Sequence, residues 1–140
     1  MKKLLAGAAA LISVLLPLFA FEGSPVADAA ANRDFAAVKT LIAQKADVNA
    51  AQADGSTALH WAVYASNQEL VDVLLKAGAN PKAANREGAT PLWIASVNGH
   101  AGIITSLLNA GADANEKLPL GRTPLMLAAR TGNVAAIKVL

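Results

Sequence analysis

The 140-residue chain contains no cysteine. That excludes a disulfide framework, a cysteine-ligated zinc site and a lipid-modified cysteine anchor. Aromatic residues make up only 4% of the chain, although apolar residues make up 54%. Alanine fills 33 positions, so the core must come from small side chains that let backbones approach closely, not from packed rings. The chain also lacks a charge bias outside its first residues. The net charge is +2, and Lys2 and Lys3 account for all of it, because residues 21–140 carry 10 basic and 10 acidic side chains. A nucleic-acid binder needs a basic stripe to meet phosphates, so the balance argues against that class. The length fits one domain or less and excludes a large multidomain enzyme.

The N-terminus reads as an address. Met1-Lys2-Lys3 is a short positive segment, and Leu4 to Phe21 carry no charge. The densest apolar part ends at Leu16, Pro17 breaks the helix, and Leu18 and Ala20 offer a cleavage site. This layout predicts a secretory signal peptide over residues 1–20 and a mature chain exported to the periplasm or the exterior. The alternatives are an uncleaved membrane anchor over residues 4–21 and a buried helix of the domain. Gly7, Ser13 and Pro17 weaken a membrane span. The absence of cysteine does not choose the compartment.

The rest is organised by self-similarity. Asp54-Gly55-Ser56-Thr57-Ala58-Leu59-His60-Trp61-Ala62 aligns with Glu87-Gly88-Ala89-Thr90-Pro91-Leu92-Trp93-Ile94-Ala95 and with Leu120-Gly121-Arg122-Thr123-Pro124-Leu125-Met126-Leu127-Ala128. Gly, Thr, Leu and Ala recur with a spacing of 33, and residues 54–86 and 87–119 share nine identities without a gap. Each unit reads as two short helices. Thr57, Thr90 and Thr123 stand where a hydroxyl caps a helix start. Pro91 and Pro124 follow at the first helical position, where no amide donor is needed; Ala58 replaces that proline and loosens nucleation. Ser66-Asn67, Gly99-His100 and Gly132-Asn133 form the turn. Leu70, Val71, Leu74 and Leu75, then Ile103, Ile104, Leu107 and Leu108, give the second helix its apolar stripe. Gly78 and Gly111 end that helix. Lys45 stands at the same phase in the first unit, so a less sharp end is expected there.

These residues resemble the ankyrin repeat, with its Thr-Pro-Leu-His-x-Ala signature and period of 33. The resemblance covers residues 24–140. It implies an all-α solenoid of helix-turn-helix units joined by hairpin loops. The units expected are an N-terminal capping unit at 21–53, full repeats at 54–86 and 87–119, and a partial repeat at 120–140. Leu140 falls at the phase of Leu74 and Leu107, in mid-helix, so a fragment of a longer protein is expected, with a polar cap missing.

No chemistry-bearing motif stands out. His60 is the histidine of the signature, which the resemblance ties to a hydrogen bond across the hairpin. His100 lies in the Gly-His turn. The two fall in different units, with no carboxylate at metal-ligand spacing. Trp93 and Met126 replace His60 at its phase, losing a polar tie and adding packing. Gly99-His100-Ala101-Gly102 reads as a turn into a helix, not a backbone clamp. No catalytic, cofactor-binding or metal-binding residue is expected.

What remains is surface. In ankyrin arrays the partner meets a concave face made of hairpin tips and exposed inner-helix positions. By phase, that face is Ala53, Asp54, Ser56 and Tyr64 in one unit; Arg86, Glu87, Ala89, Val97 and Asn98 in the next; and Pro119, Leu120, Arg122, Arg130 and Thr131 in the last. Tyr and Arg are types that anchor protein interfaces. The resemblance implies a monomeric, non-catalytic module for a protein partner, with no nucleic acid and no membrane after leader removal. The alternative is the repeat portion of a larger exported enzyme or receptor whose active part lies beyond residue 140.

Overall fold

The structure is a computed structural model that describes residues 23–140. The expected signal peptide, its cleavage after Ala20 and the alternative anchor lie outside the described residues. Eight α-helices follow one another: α1 (Pro25–Ala31), α2 (Phe35–Ala43), α3 (Ala58–Tyr64), α4 (Gln68–Lys76), α5 (Pro91–Asn98), α6 (Ala101–Asn109), α7 (Pro124–Thr131) and α8 (Val134–Val139). Among the described residues there is no strand, so the fold is all-α. None of these helices is long and apolar enough to cross a membrane.

Side-chain caps set five of the eight helix starts; Thr57, expected to cap α3, instead directs its hydroxyl to His60 Nδ1 at 2.9 Å. Thr90 Oγ1 accepts from the Trp93 amide at 3.1 Å, and Thr123 Oγ1 from the Met126 amide at 3.3 Å. The second helices are capped by Asp34, Asn67 and Asn133, each accepting an amide from three residues on at 3.0–3.1 Å. Such caps each contribute about 1 kcal/mol. The turn between paired helices needs one left-handed residue. Arg33, Ser66, Gly99 and Gly132 supply it at intervals of 33.

The helices pair within each unit and the pairs stack. Inner helices pack in the order α1, α3, α5, α7, and outer helices α4, α6 and α8 stack beside them. Leu59, Leu92, Leu70, Leu74, Ile103 and Leu107 are fully buried between them. Each contributes about 1.5–3 kcal/mol. Ala27, Ala30, Ala58, Ala62 and Ala95 fill the inner-helix contacts, and their small volume lets the helices approach.

Hairpin loops project from the stack, closed by Gln52 N–H to Ser56 O at 2.9 Å, Asn85 N–H to Ala89 O at 3.0 Å and Leu118 N–H to Arg122 O at 3.0 Å. Neighbouring tips touch: the Arg86 amide donates to Asp54 O at 2.8 Å. A Cβ on Gly55 would come within 3.1 Å of Asn85 Cα, and the residue is left-handed at φ 83°, so glycine is favoured on both counts. The third tip differs, with a 3-10 turn over Pro119–Gly121 and Leu120 left-handed at φ 68°. Side chains also bridge units. Asn49 donates to Gly78 O at 3.0 Å and accepts the Asn80 amide at 2.7 Å. Gln68 donates to Ser106 at 2.9 Å, and Asn133 to Gly99 O at 2.8 Å.

Lys45 corrects one expectation. Helix α2 is as long as α4 and α6, at nine residues each. It ends with the same pair of bonds, Lys45 N–H to Ile42 O and Ala46 N–H to Leu41 O, both at 3.0 Å. The end is sharp because Lys45 adopts φ 62°, taking the left-handed role of Gly78 and Gly111 at a steric cost of about 1 kcal/mol. Its side chain is exposed, so little is lost by removing it. Lys45→Gly is expected to raise unfolding free energy by about 0.5–1 kcal/mol, read from the urea midpoint; an unchanged or lower midpoint would show that the lysine is not strained.

Candidate functional site

The hairpin tips and inner helices frame one face, and a row of shallow grooves runs along it. Ala53, Asp54, Arg86 and Glu87 line a groove of about 460 Å³ at the first two tips. Beside it, Asp54, Ser56, Trp61, Tyr64, Glu87 and Trp93 border a groove of about 320 Å³. Glu87, Trp93, Pro119 and Arg122 share a smaller one of about 170 Å³. Trp93, Val97, Arg122, Leu127, Arg130 and Thr131 form the last, of about 470 Å³. The phase thus brings most of the expected surface residues together. Asn98 is exposed but borders none of these grooves, nor does Leu120, which stands 88% exposed at its tip.

Two expected contact residues turn inward. Ser56 is only 5% exposed: its amide and hydroxyl both donate to the Asp54 carboxylate at 2.9 Å. Those two bonds hold the Asp54 carboxyl below its ordinary range. Ser56 therefore builds the tip instead of presenting a free hydroxyl. Ala89 is likewise buried, at 5% exposed.

Two residues of the face were missed. Trp61 and Trp93 are half-buried, with faces open to the grooves. The Trp61 indole N–H donates to Gln52 Oε1 at 2.7 Å, and Gln52 in turn donates to Asp28 at 2.6 Å. That chain fixes the ring, and Tyr64 packs edge-on to it with centroids 6.1 Å apart. Trp93 borders three of these grooves. Its departure from the signature histidine was the signal: a large ring on an inner helix at a position one turn from Val97.

His60 lies under this face, 2% exposed. Its Nε2 is 3.0 Å from the Ala89 carbonyl oxygen, which can only accept, so Nε2 carries the proton. Nδ1 then accepts from the Thr57 amide at 3.1 Å and the Thr57 hydroxyl at 2.9 Å. The ring therefore ties its own helix start to the next unit, rather than spanning one hairpin. Burial, the largest influence, pushes its pKa below the ordinary imidazole value; the Ala89 carbonyl opposes this. In the next unit Trp93 cannot make that tie. There Thr90 Oγ1 donates to Glu116 of the following hairpin at 2.5 Å. Burial raises the Glu116 pKa, with the Thr90 bond opposing. Among the described residues no cluster of His, Asp and Glu could hold a metal ion.

The comparisons agree with this geometry. Residues 26–118 match the family profile "Ankyrin repeats (3 copies)", and residues 120–140 match "Ankyrin repeat". The chain belongs to the ankyrin repeat family. A comparison with curated proteins gives no match. Ankyrin repeats are in general protein–protein interaction modules, and their domains are typically non-catalytic. In this ankyrin chain the signature histidine survives once, at His60, and the slot it leaves at Trp93 becomes part of the surface.

His60 makes stability depend on pH. Its folded-state pKa is depressed, so the unfolded chain binds the proton more readily. The stability it contributes is full above the ordinary value near 6.5 and is lost as pH falls through that value. His60→Ala is expected to cost about 1–3 kcal/mol at pH near 7.5. In urea unfolding at lower pH, near 5, the gap between the two proteins should shrink. Glu116 and Asp54 titrate in both proteins and largely cancel. A gap of equal size at both pH values would contradict the role of the neutral ring.

Proposed function

We propose that the chain is a non-catalytic ankyrin module, exported and monomeric, that docks a protein partner on its inner, concave face. One observation carries this reading. The described residues contain four aromatic side chains, Phe35, Trp61, Tyr64 and Trp93. Three of them border the grooves, and none lies in the fully buried core. A chain so poor in rings would gain most by burying them. Rings instead held half-open on a rigid scaffold are large, low-entropy anchors for a partner. Tyr64, 65% exposed, is the clearest case.

The same face carries charges of both signs at its edges: Asp54, Arg86 and Glu87 at the tips, Arg122 and Arg130 further along. Such a rim selects partners more than it adds affinity. The positive N-terminal segment and apolar run before residue 21 support export.

A photoreactive amino acid placed at Tyr64 or Val97 tests this in the producing cell. Covalent adducts with a protein of defined mass are expected from these positions. The same residue at Thr40 or Thr105, exposed on the outer helices, should give few. Adducts from the outer positions alone, or equally from both sides, would contradict inner-face docking.

A further inference from the structure

The groove between α5 and α7, bordered by Trp93, Val97, Arg122, Leu127, Arg130 and Thr131, has an unusual balance of groups. Two guanidiniums border it and no carboxylate does. Among the described residues the ion pair within 4.0 Å is Lys39–Glu69, on the outer side, so neither Arg122 nor Arg130 is neutralised by a neighbour. Arg122 Nε is buried and has no hydrogen-bond partner within the protein. Burial closes Nε itself to a ligand, so the terminal guanidinium nitrogens are the ones that can meet an acceptor, and a charged acceptor suits them most. Thr131 does not compete for a ligand, because its hydroxyl already donates to Ala128 O at 2.7 Å and accepts the Asn133 amide at 3.1 Å. The remaining wall is apolar: Trp93, Val97 and Leu127.

We infer that this groove receives an acidic side chain of the protein partner, an Asp or Glu next to an aliphatic residue. The inference rests on the inner-face reading above. The carboxylate sits between Arg122 and Arg130, and the aliphatic group lies on Trp93, Val97 and Leu127. Guanidinium forks match a planar carboxylate with paired bonds, and the apolar wall keeps water from screening them. The apolar wall also separates this reading from a free, strongly hydrated anion, which would gain nothing from it. Glu87 borders the small adjoining groove together with Arg122 but does not border this one. No carboxylate of the chain lines the groove that the partner's carboxylate would enter.

A phage-displayed library of random short peptides, panned against the chain, is the probe. Selected peptides should crosslink to a photoreactive residue at Val97 and should be enriched in Asp or Glu beside Leu, Ile or Val. An enriched peptide should bind the Arg122→Gln/Arg130→Gln protein about tenfold or more weakly, as expected when one partner of a desolvated charge pair is removed. Panning against Arg122→Glu/Arg130→Glu should invert the enrichment toward Lys and Arg. Circular dichroism checks the fold; if the double variant is unfolded, Arg130→Glu alone carries the test, because Arg130 is exposed. Peptides that crosslink at Val97 without acidic enrichment, or that the charge-reversed protein selects equally, overturn this groove assignment and leave inner-face docking standing. Peptides that bind without crosslinking at Val97 also overturn the groove assignment, and inner-face docking falls with it only if a photoreactive residue at Tyr64 fails to capture them as well.

Discussion

No helix among the described residues exceeds nine residues. A helix that short is marginal in water by itself, so each one stands only where its apolar side is covered. One pair cannot cover itself on both sides, and the cover comes from the pair before and the pair after. The dependence is visible at one phase. Leu59 and Leu92 are fully buried under the following unit, whereas Leu125, at the same phase, is 45% exposed. The period of 33 is the sequence image of this constraint, because every unit must present matching faces to identical neighbours.

That constraint shapes the functional face. Close stacking demands alanines between inner helices, and Ala58, Ala62, Ala95 and Ala128 supply them without any ring. The few rings are thereby released to positions that stacking leaves open. Stacking also arranges equivalent positions in rows. Tyr64, Val97 and Arg130 form one such row, passing from ring to aliphatic to cation. His60, Trp93 and Met126 form another, passing from 2% exposed to 56% exposed. The scaffold repeats while the surface does not, so specificity can change by side-chain replacement with no change of fold. The polar tie between units moves accordingly, from His60 in one unit to Thr90 and Glu116 in the next.

Most of the scaffold was readable because its causes are local or periodic. Thr90 before Pro91 specifies a helix start, and Leu70, Leu74, Ile103 and Leu107 fall on stripes that the structure buries. What escaped depends on non-local geometry. Lys45 looked like a defect because sequence shows the missing glycine but not the hydrogen bonds that hold a lysine left-handed. Ser56 lay at a surface phase, yet Asp54 draws its hydroxyl inward. Trp61 was passed over; its row continues to Ile94 and Leu127, and nothing in that phase marks the ring as surface. The Thr90–Glu116 bond links residues 26 apart in sequence, and no spacing rule announces it. The expected face was therefore legible as a set, and the two tryptophans at its centre were not.

Native-state hydrogen exchange on Leu92→Ala tests the dependence of each unit on its neighbour most directly. Leu92 is fully buried in α5, and its removal should cost about 2–5 kcal/mol. If stacking carries the fold, amides in residues 58–76 should lose protection together with those in 91–109, although the substitution lies outside the first segment. Loss confined to residues 91–109, with residues 58–76 exchanging as before, would show that the units hold themselves and would contradict the account.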